Sequence, residues 1–231
     1  MSTLPKERIT IAVGANHSVS GLFERPRAAR AVVVLAHGAG AGMEHPSMQG
    51  VAAGLTQRGI ATLRYQFPYM ERKSRRPDPP PLCHATVRAA VAEASRLAPD
   101  LPLIAGGRSF GGRMTSQAQA LVPLPRIRGL LFLAFPLHPA GGPGTDRAAH
   151  LRQISVPMLF IQGTHDELAD FTLLRPLVAG LGAHATLHAL EDADHSFHVP
   201  ARSGRKDDDV RTDALNAVCA WLDHLGGSPT G

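Results

Sequence analysis

Short aliphatic runs alternate with longer amphipathic stretches along nearly the whole chain. "AVVVLAH" (31–37), "IATLRYQF" (60–67), "PLIAGG" (102–107), "RGLLFLAFP" (128–136), "PMLFIQG" (157–163) and "HATLHAL" (184–190) read as strands. Between them, 46–59, 82–98, 111–122 and 170–182 carry helical patterns, and 207–225 closes the chain as a helix with an acidic start suited to the positive end of its dipole. Such alternation builds βαβ units, hence a mostly parallel central sheet with helices on both faces. Residues 8–13 and 19–26 come first, without a helix between them, as an antiparallel edge about a Gly-Ala-Asn turn.

No linker, repeat or low-complexity tract divides the 231 residues, so one domain over 1–231 is expected, with tails at 1–7 and 226–231. Hydrophobic residues at 44% suffice for one sizeable core, and aromatics at only 5% leave aliphatic side chains to fill it. The polar N-terminus lacks the apolar stretch of a signal peptide, and no apolar run is long enough to cross a bilayer. Two isolated cysteines, Cys83 and Cys219, read as reduced packing thiols, so a cytoplasmic protein without membrane insertion is expected. The net charge of +5 is concentrated in "ERKSRR" (71–76), too local for a nucleic-acid face, and no nucleic-acid partner is expected.

The segment "GGRSFGGRM" (106–114) lies between a predicted strand and a predicted helix and places four glycines around Ser109. Gly107-Arg108-Ser109-Phe110-Gly111 matches the G-x-S-x-G nucleophile elbow, in which a strained turn presents a serine hydroxyl at the C-terminal edge of a sheet. Glycines suit such a turn because side chains would collide with the adjoining strand and helix. A serine needs a base, and the base an orienting acid, following in the order Ser, acid, His. Asp166, in the loop after 157–163, is the preferred acid over Glu167 and over Asp170, which suits the cap of the next helix. His195, after the last strand, is preferred to His198 as the base. Asp192, Asp194, His195 and His198 form a poor metal set because the triad already uses His195, so neither metal nor cofactor is expected. The oxyanion hole would take backbone N–H groups from Phe110 and from Ala39 or Gly40 in "HGAGAGMEHP" (37–46), with His37 bracing that loop.

"VVVLAHGAGAGMEHP", "LRYQFPYMERKSRRPDPPP" and "IAGGRSFGGRM" resemble the α/β-hydrolase superfamily. Within it they are similar to small uncapped hydrolases related to a subunit of the non-specific-lethal chromatin complex, with dienelactone-hydrolase-like enzymes as wider relatives. The resemblance implies an α/β-hydrolase fold without a large cap. It also implies a sheet of about seven strands here, lacking the first of the family's eight.

The function expected is a serine hydrolase, carboxylesterase- or thioesterase-like, that takes a small ester or thioester. The alternatives are a non-catalytic binding or scaffold protein on the same fold and, ranked lower, a serine peptidase. Tyr65, Phe67 and Tyr69 either line the substrate pocket or pack in the core. Arg108 and Arg113 flank the elbow; packing is the favoured role for both, and binding of an acidic substrate group the alternative for Arg108. Arg64 and the basic loop 71–76 either attract anions or are solvated, and the segments 68–81 and 136–150 are candidate substrate walls. Monomer and homodimer both remain open.

Overall fold

Successive side chains of β3 (Ala31–Ala36) serve two different cores. Ala31, Val33 and Leu35 join one buried cluster, and Val32, Val34 and Ala36 the other, as the pleat of a strand requires. A strand buried on both faces belongs inside a parallel sheet. β3 accordingly pairs in parallel with β4 (Ile60–Tyr65) and with β5 (Leu103–Arg108). The parallel series continues through β6 (Ile127–Leu133), β7 (Met158–Gly163) and β8 (Ala185–Leu190).

The computed structural model describes residues 6–227. β1 (Glu7–Val13) and β2 (His17–Glu24) form an antiparallel hairpin, and β2 pairs antiparallel with β4. The sheet therefore has eight strands, in the order β1-β2-β4-β3-β5-β6-β7-β8. The resemblance implied about seven; all eight segments that read as strands, the hairpin edge included, join the sheet. Residues 1–5 and 228–231, which hold most of the expected tails, lie outside the described residues; Glu7 already belongs to β1.

One face of the sheet is covered by α1 (Pro46–Gln57) and the long α6 (Asp207–Gly227), which bury Val51, Leu55, Val210, Leu215 and Val218 against it. The other face carries α3 (Pro80–Leu97), α4 (Phe110–Leu121), α5 (Phe171–Gly180) and a 3-10 segment, Asp146–Gln153. That 3-10 segment is the one regular element between β6 and β7, so no large cap stands there. The segment 68–81, a candidate substrate wall from the sequence, begins with a one-turn helix, α2 (Pro68–Glu71), and ends inside α3. Asp78 stabilises α2 by accepting from the Tyr69 N–H at 2.7 Å and pairing with Arg72. Cys83 and Cys219 are free thiols. Among the described residues no helix is long and apolar enough to cross a membrane.

At Gly106 a Cβ would lie 1.9 Å from the carbonyl oxygen of Leu131 on the neighbouring β6. Backbone in a central strand has no room to retreat, so Gly106→Ala is expected to destabilise the protein by more than about 3 kcal/mol or to prevent folding. Gly180→Ala, at an open position with nothing within 4 Å, should change stability by under about 1 kcal/mol. Urea denaturation of the two variants beside wild type checks the contrast.

Candidate active site

β5 ends at Arg108 and α4 starts at Phe110, so the chain reverses at Ser109 alone. Ser109 has φ 48° and ψ −116°, a conformation that residues with a side chain rarely adopt. Crowding imposes it. A Cβ on Gly107 would lie 2.3 Å from the Ala36 carbonyl oxygen, and one on Gly111 2.5 Å from that of His37. The turn thus packs directly on the end of β3. The first bond within α4 runs from the Arg113 N–H to the Ser109 carbonyl at 3.1 Å. The N–H groups of Phe110, Gly111 and Gly112 have no acceptor inside the helix and present its positive end beside the serine.

The loop after β3 passes close by: a Cβ on Gly38 would sit 3.9 Å from that of Ser109. Ala39 and Gly40 are exposed at its tip, and Gly40 has φ 74°. The loop is braced from behind by buried polar side chains. Gln66 Oε1 accepts from the Met43 N–H at 2.8 Å, and Arg64 Nη1 donates to the Met43 carbonyl at 3.0 Å. Arg64 is fully buried and paired with Glu24, so it neither faces solvent nor attracts anions, contrary to both roles weighed from sequence. His37 Nε2 accepts from the Phe67 N–H at 3.0 Å, which leaves the ring hydrogen on Nδ1, 2.8 Å from the Gly38 carbonyl. Burial holds the His37 pKa down at about 4, against a smaller opposing pull from the Gly38 carbonyl. The ring is therefore neutral and braces the loop.

Tyr65, Phe67 and Tyr69 are buried in the core. The Phe67 ring centroid is 5.0 Å from that of His37 and 5.5 Å from that of Phe110, so the aromatic group lies behind the loop and the elbow.

β7 leads to Asp166. Past Gly163 the chain turns, and the Asp166 carboxylate is completely buried. Its Oδ1 accepts from the Leu168 N–H at 2.8 Å, and its Oδ2 accepts from the Gln162 amide and from His195 Nδ1, the latter at 2.7 Å. Asp170 does other work: it caps α5 by accepting from the Thr172 N–H at 2.8 Å. Glu167 is exposed.

His195 hangs from the loop after β8, and its Nε2 lies 2.8 Å from Ser109 Oγ. Its side chain is 21% exposed while that of Asp166 is at 0%, so the imidazole is reachable and the carboxylate is sealed. Asp194 shapes this loop by accepting from the Ser196 and His198 N–H groups at 2.7 and 2.9 Å. Arg108 reaches across from the elbow, donates to the His195 carbonyl at 2.8 Å and lies 4.9 Å from the Phe197 ring centroid. His198 points away and pairs with Asp207 at 2.9 Å, which raises its pKa. The acid and base loops are laced together: Thr164 N–H donates to the Leu190 carbonyl at 3.1 Å, and His165 N–H to that of Ala193 at 2.9 Å. A Cβ on Gly163 would lie 2.2 Å from the Ala193 oxygen.

Ser109, His195 and Asp166 thus form one continuous hydrogen-bonded chain, beside N–H groups from α4 and from the loop after β3. The structure brings together the three residues singled out from the sequence, and adds Gln162, which the sequence reading did not name. Its position one residue before the end of a buried strand was the signal available: a polar amide at a core position needs a partner.

The neutral His37 makes acid stability predictable. Its folded pKa of about 4 lies below the ordinary 6.5, so the unfolded chain binds more protons between those values. Stability is fully present above pH 6.5 and falls as the pH is lowered toward 4, by about 3 kcal/mol from this residue. Burial also holds His150 at about 4, with the same sign. Urea midpoints from pH 7.5 to 4 should decline for wild type and decline less steeply for His37→Gln.

Residues 29–223 match the family of alpha/beta hydrolase domains. Among solved structures, the fold is similar to a dienelactone hydrolase from Anabaena variabilis, with a TM-score of 0.77, 20% identity and coverage of 95% of this chain and 97% of that one. An alpha-beta serine hydrolase homologue from Coxiella burnetii gives a TM-score of 0.75 at 19% identity, covering 94% and 99%. A serine hydrolase without a lid from Xanthomonas campestris gives 0.73 at 22% identity, covering 96% and 98%. At these identities the structures speak for the shared fold, whereas the family match spans most of the chain; the protein belongs to the alpha/beta hydrolase domain family.

Proposed function

We propose that the protein is a serine hydrolase that cleaves a small carboxylic ester or thioester through an acyl-enzyme. The observation that carries this reading is the hydrogen-bonded run from Asp166 through His195 to Ser109, with 2.7 Å and 2.8 Å links. The likeness to a lidless serine hydrolase supports it further.

The chemistry follows from the donors and acceptors. His195 Nδ1–H donates to Asp166, which leaves the Nε2 lone pair facing Ser109 Oγ. His195 takes the Ser109 proton as Oγ attacks the substrate carbonyl carbon. The carbonyl oxygen gains the negative charge and lies against the N–H of Phe110 and that of Ala39 or Gly40. Asp166 stabilises the imidazolium and, held by Gln162 and Leu168, fixes its orientation. The proton then passes from Nε2 to the leaving alcohol or thiol as the carbonyl–heteroatom bond breaks. A water activated by His195 attacks the acyl-enzyme, and the acid departs with Ser109 restored. Arg108 acts through His195 by holding its carbonyl, so it is a positioning residue. No step calls on a metal or an organic cofactor.

A fluorophosphonate probe should label the wild-type protein and leave Ser109→Ala unlabelled; a folded wild-type protein that resists labelling would sink the proposal. Asp166→Asn should lower kcat for a short p-nitrophenyl ester by about 10³- to 10⁴-fold. Asp170→Asn, whose side-chain oxygen can still accept from the Thr172 N–H and cap α5, should retain turnover within a few-fold and change stability by under about 1 kcal/mol. The reverse pattern in steady-state kinetics would transfer the acid's role to Asp170.

A further inference from the structure

Arg113 stands in the first turn of α4, three residues after Phe110, the residue that follows Ser109 at the elbow. Residues three apart share a helix face, and helical side chains lean back toward the N-terminus. The Arg113 guanidinium accordingly lies against the Phe110 ring, 5.8 Å from its centroid. Its Nε is buried without a hydrogen-bond partner. Arg64 also leaves its Nε unpartnered, but its terminal nitrogens reach acceptors, Glu24 and the Met43 carbonyl; Arg88 has the Val122 carbonyl and Arg108 the His195 carbonyl. Arg113 has none among the described residues, neither a carboxylate nor a carbonyl.

The surroundings add positive charge instead of cancelling it. The 3-10 segment packs on α4 and brings Arg147, whose charge, after burial itself, opposes that of Arg113. Two imidazoles complete the group, His84 bonded to Gln117 at 3.3 Å and His150 to Ser116 at 2.7 Å. Both are pushed toward the neutral form, chiefly by burial and in part by Arg113. A half-buried guanidinium with no counter-charge is costly in the free protein, and an anion that reaches it recovers that cost. The three steps from Phe110 to Arg113 rise about 4.5 Å along the helix, so such an anion would sit a few carbons from a carbonyl at the serine.

We propose that Arg113, supported by Arg147, docks a carboxylate carried by the substrate a few carbons from its scissile carbonyl, so that acidic esters are preferred. This deepens the serine-hydrolase reading above and rests on it.

Two acyl esters of equal chain length test the idea: p-nitrophenyl hydrogen glutarate and p-nitrophenyl valerate, each measured above its spontaneous rate. In wild type the acidic ester should have a kcat/KM about tenfold higher or more, through a lower KM, and added salt should narrow the difference. Arg113→Gln should bring the ratio toward one, and Arg147→Gln should lower it less. A wild-type ratio at or below one overturns the subsite, whether or not the variants fold. Fluorophosphonate labelling of the same preparation separates the two readings. Labelled protein without acidic preference sinks the subsite alone; folded, unlabelled protein sinks both.

Discussion

Backbone touches backbone where β5 turns into α4, and the rest of the site is positioned from that contact. The carbonyls of Ala36, His37 and Leu131 occupy the space that Cβ atoms of Gly107, Gly111 and Gly106 would need. Helix, elbow and two neighbouring strands are thereby locked at a separation that side chains would forbid. Ser109 is the residue with a side chain at the apex, and its positive φ follows from that confinement. Strain of this kind persists only where the surroundings over-determine the backbone. Here they do so with hydrogen bonds as well, since Ser109 N–H donates to the Leu133 carbonyl at 2.9 Å.

Polar groups then fix what the glycines leave free. The loop after β3 is held by a neutral imidazole, an amide and a guanidinium bonded to backbone N–H and carbonyl groups. Buried polar partners of this type cost nothing only when satisfied, and losing one partner strands the other. The arginines either side of the elbow divide along the same line. Arg108 has a carbonyl to hold and an aromatic ring to lie on, whereas Arg113 has the ring alone.

The alternation of strands and helices was legible in the sequence because each strand's burial on two faces writes itself as an unbroken apolar run. The elbow was legible through its glycines and its place between strand and helix, and Asp170 through its place at the start of a helical pattern. Two kinds of feature escaped. The one-turn α2 depends on Asp78, an acceptor beyond the helix itself. The fate of Arg64 depends on Glu24, which only the pairing of β2 with β4 brings alongside. The eight strand segments were legible, the hairpin edge included; the count of about seven came from the resemblance, and the β2–β4 pairing that fixes the edge's place is a tertiary event. Pairings between distant segments leave no local periodicity to read.

Gly163 carries a consequence for how this molecule could change over time. The acid loop and the base loop meet there with no side chain between them, and two further backbone hydrogen bonds stitch the contact. Neither loop has an independent geometry to vary. A graft that imports one of them from a related protein would bring a backbone path that its partner does not match, while residues 163–168 and 190–198 moved together would carry their mutual fit with them. The inheritable unit of this site is thus a pair of strand-end loops, and variation in one is expected to be answered by variation in the other.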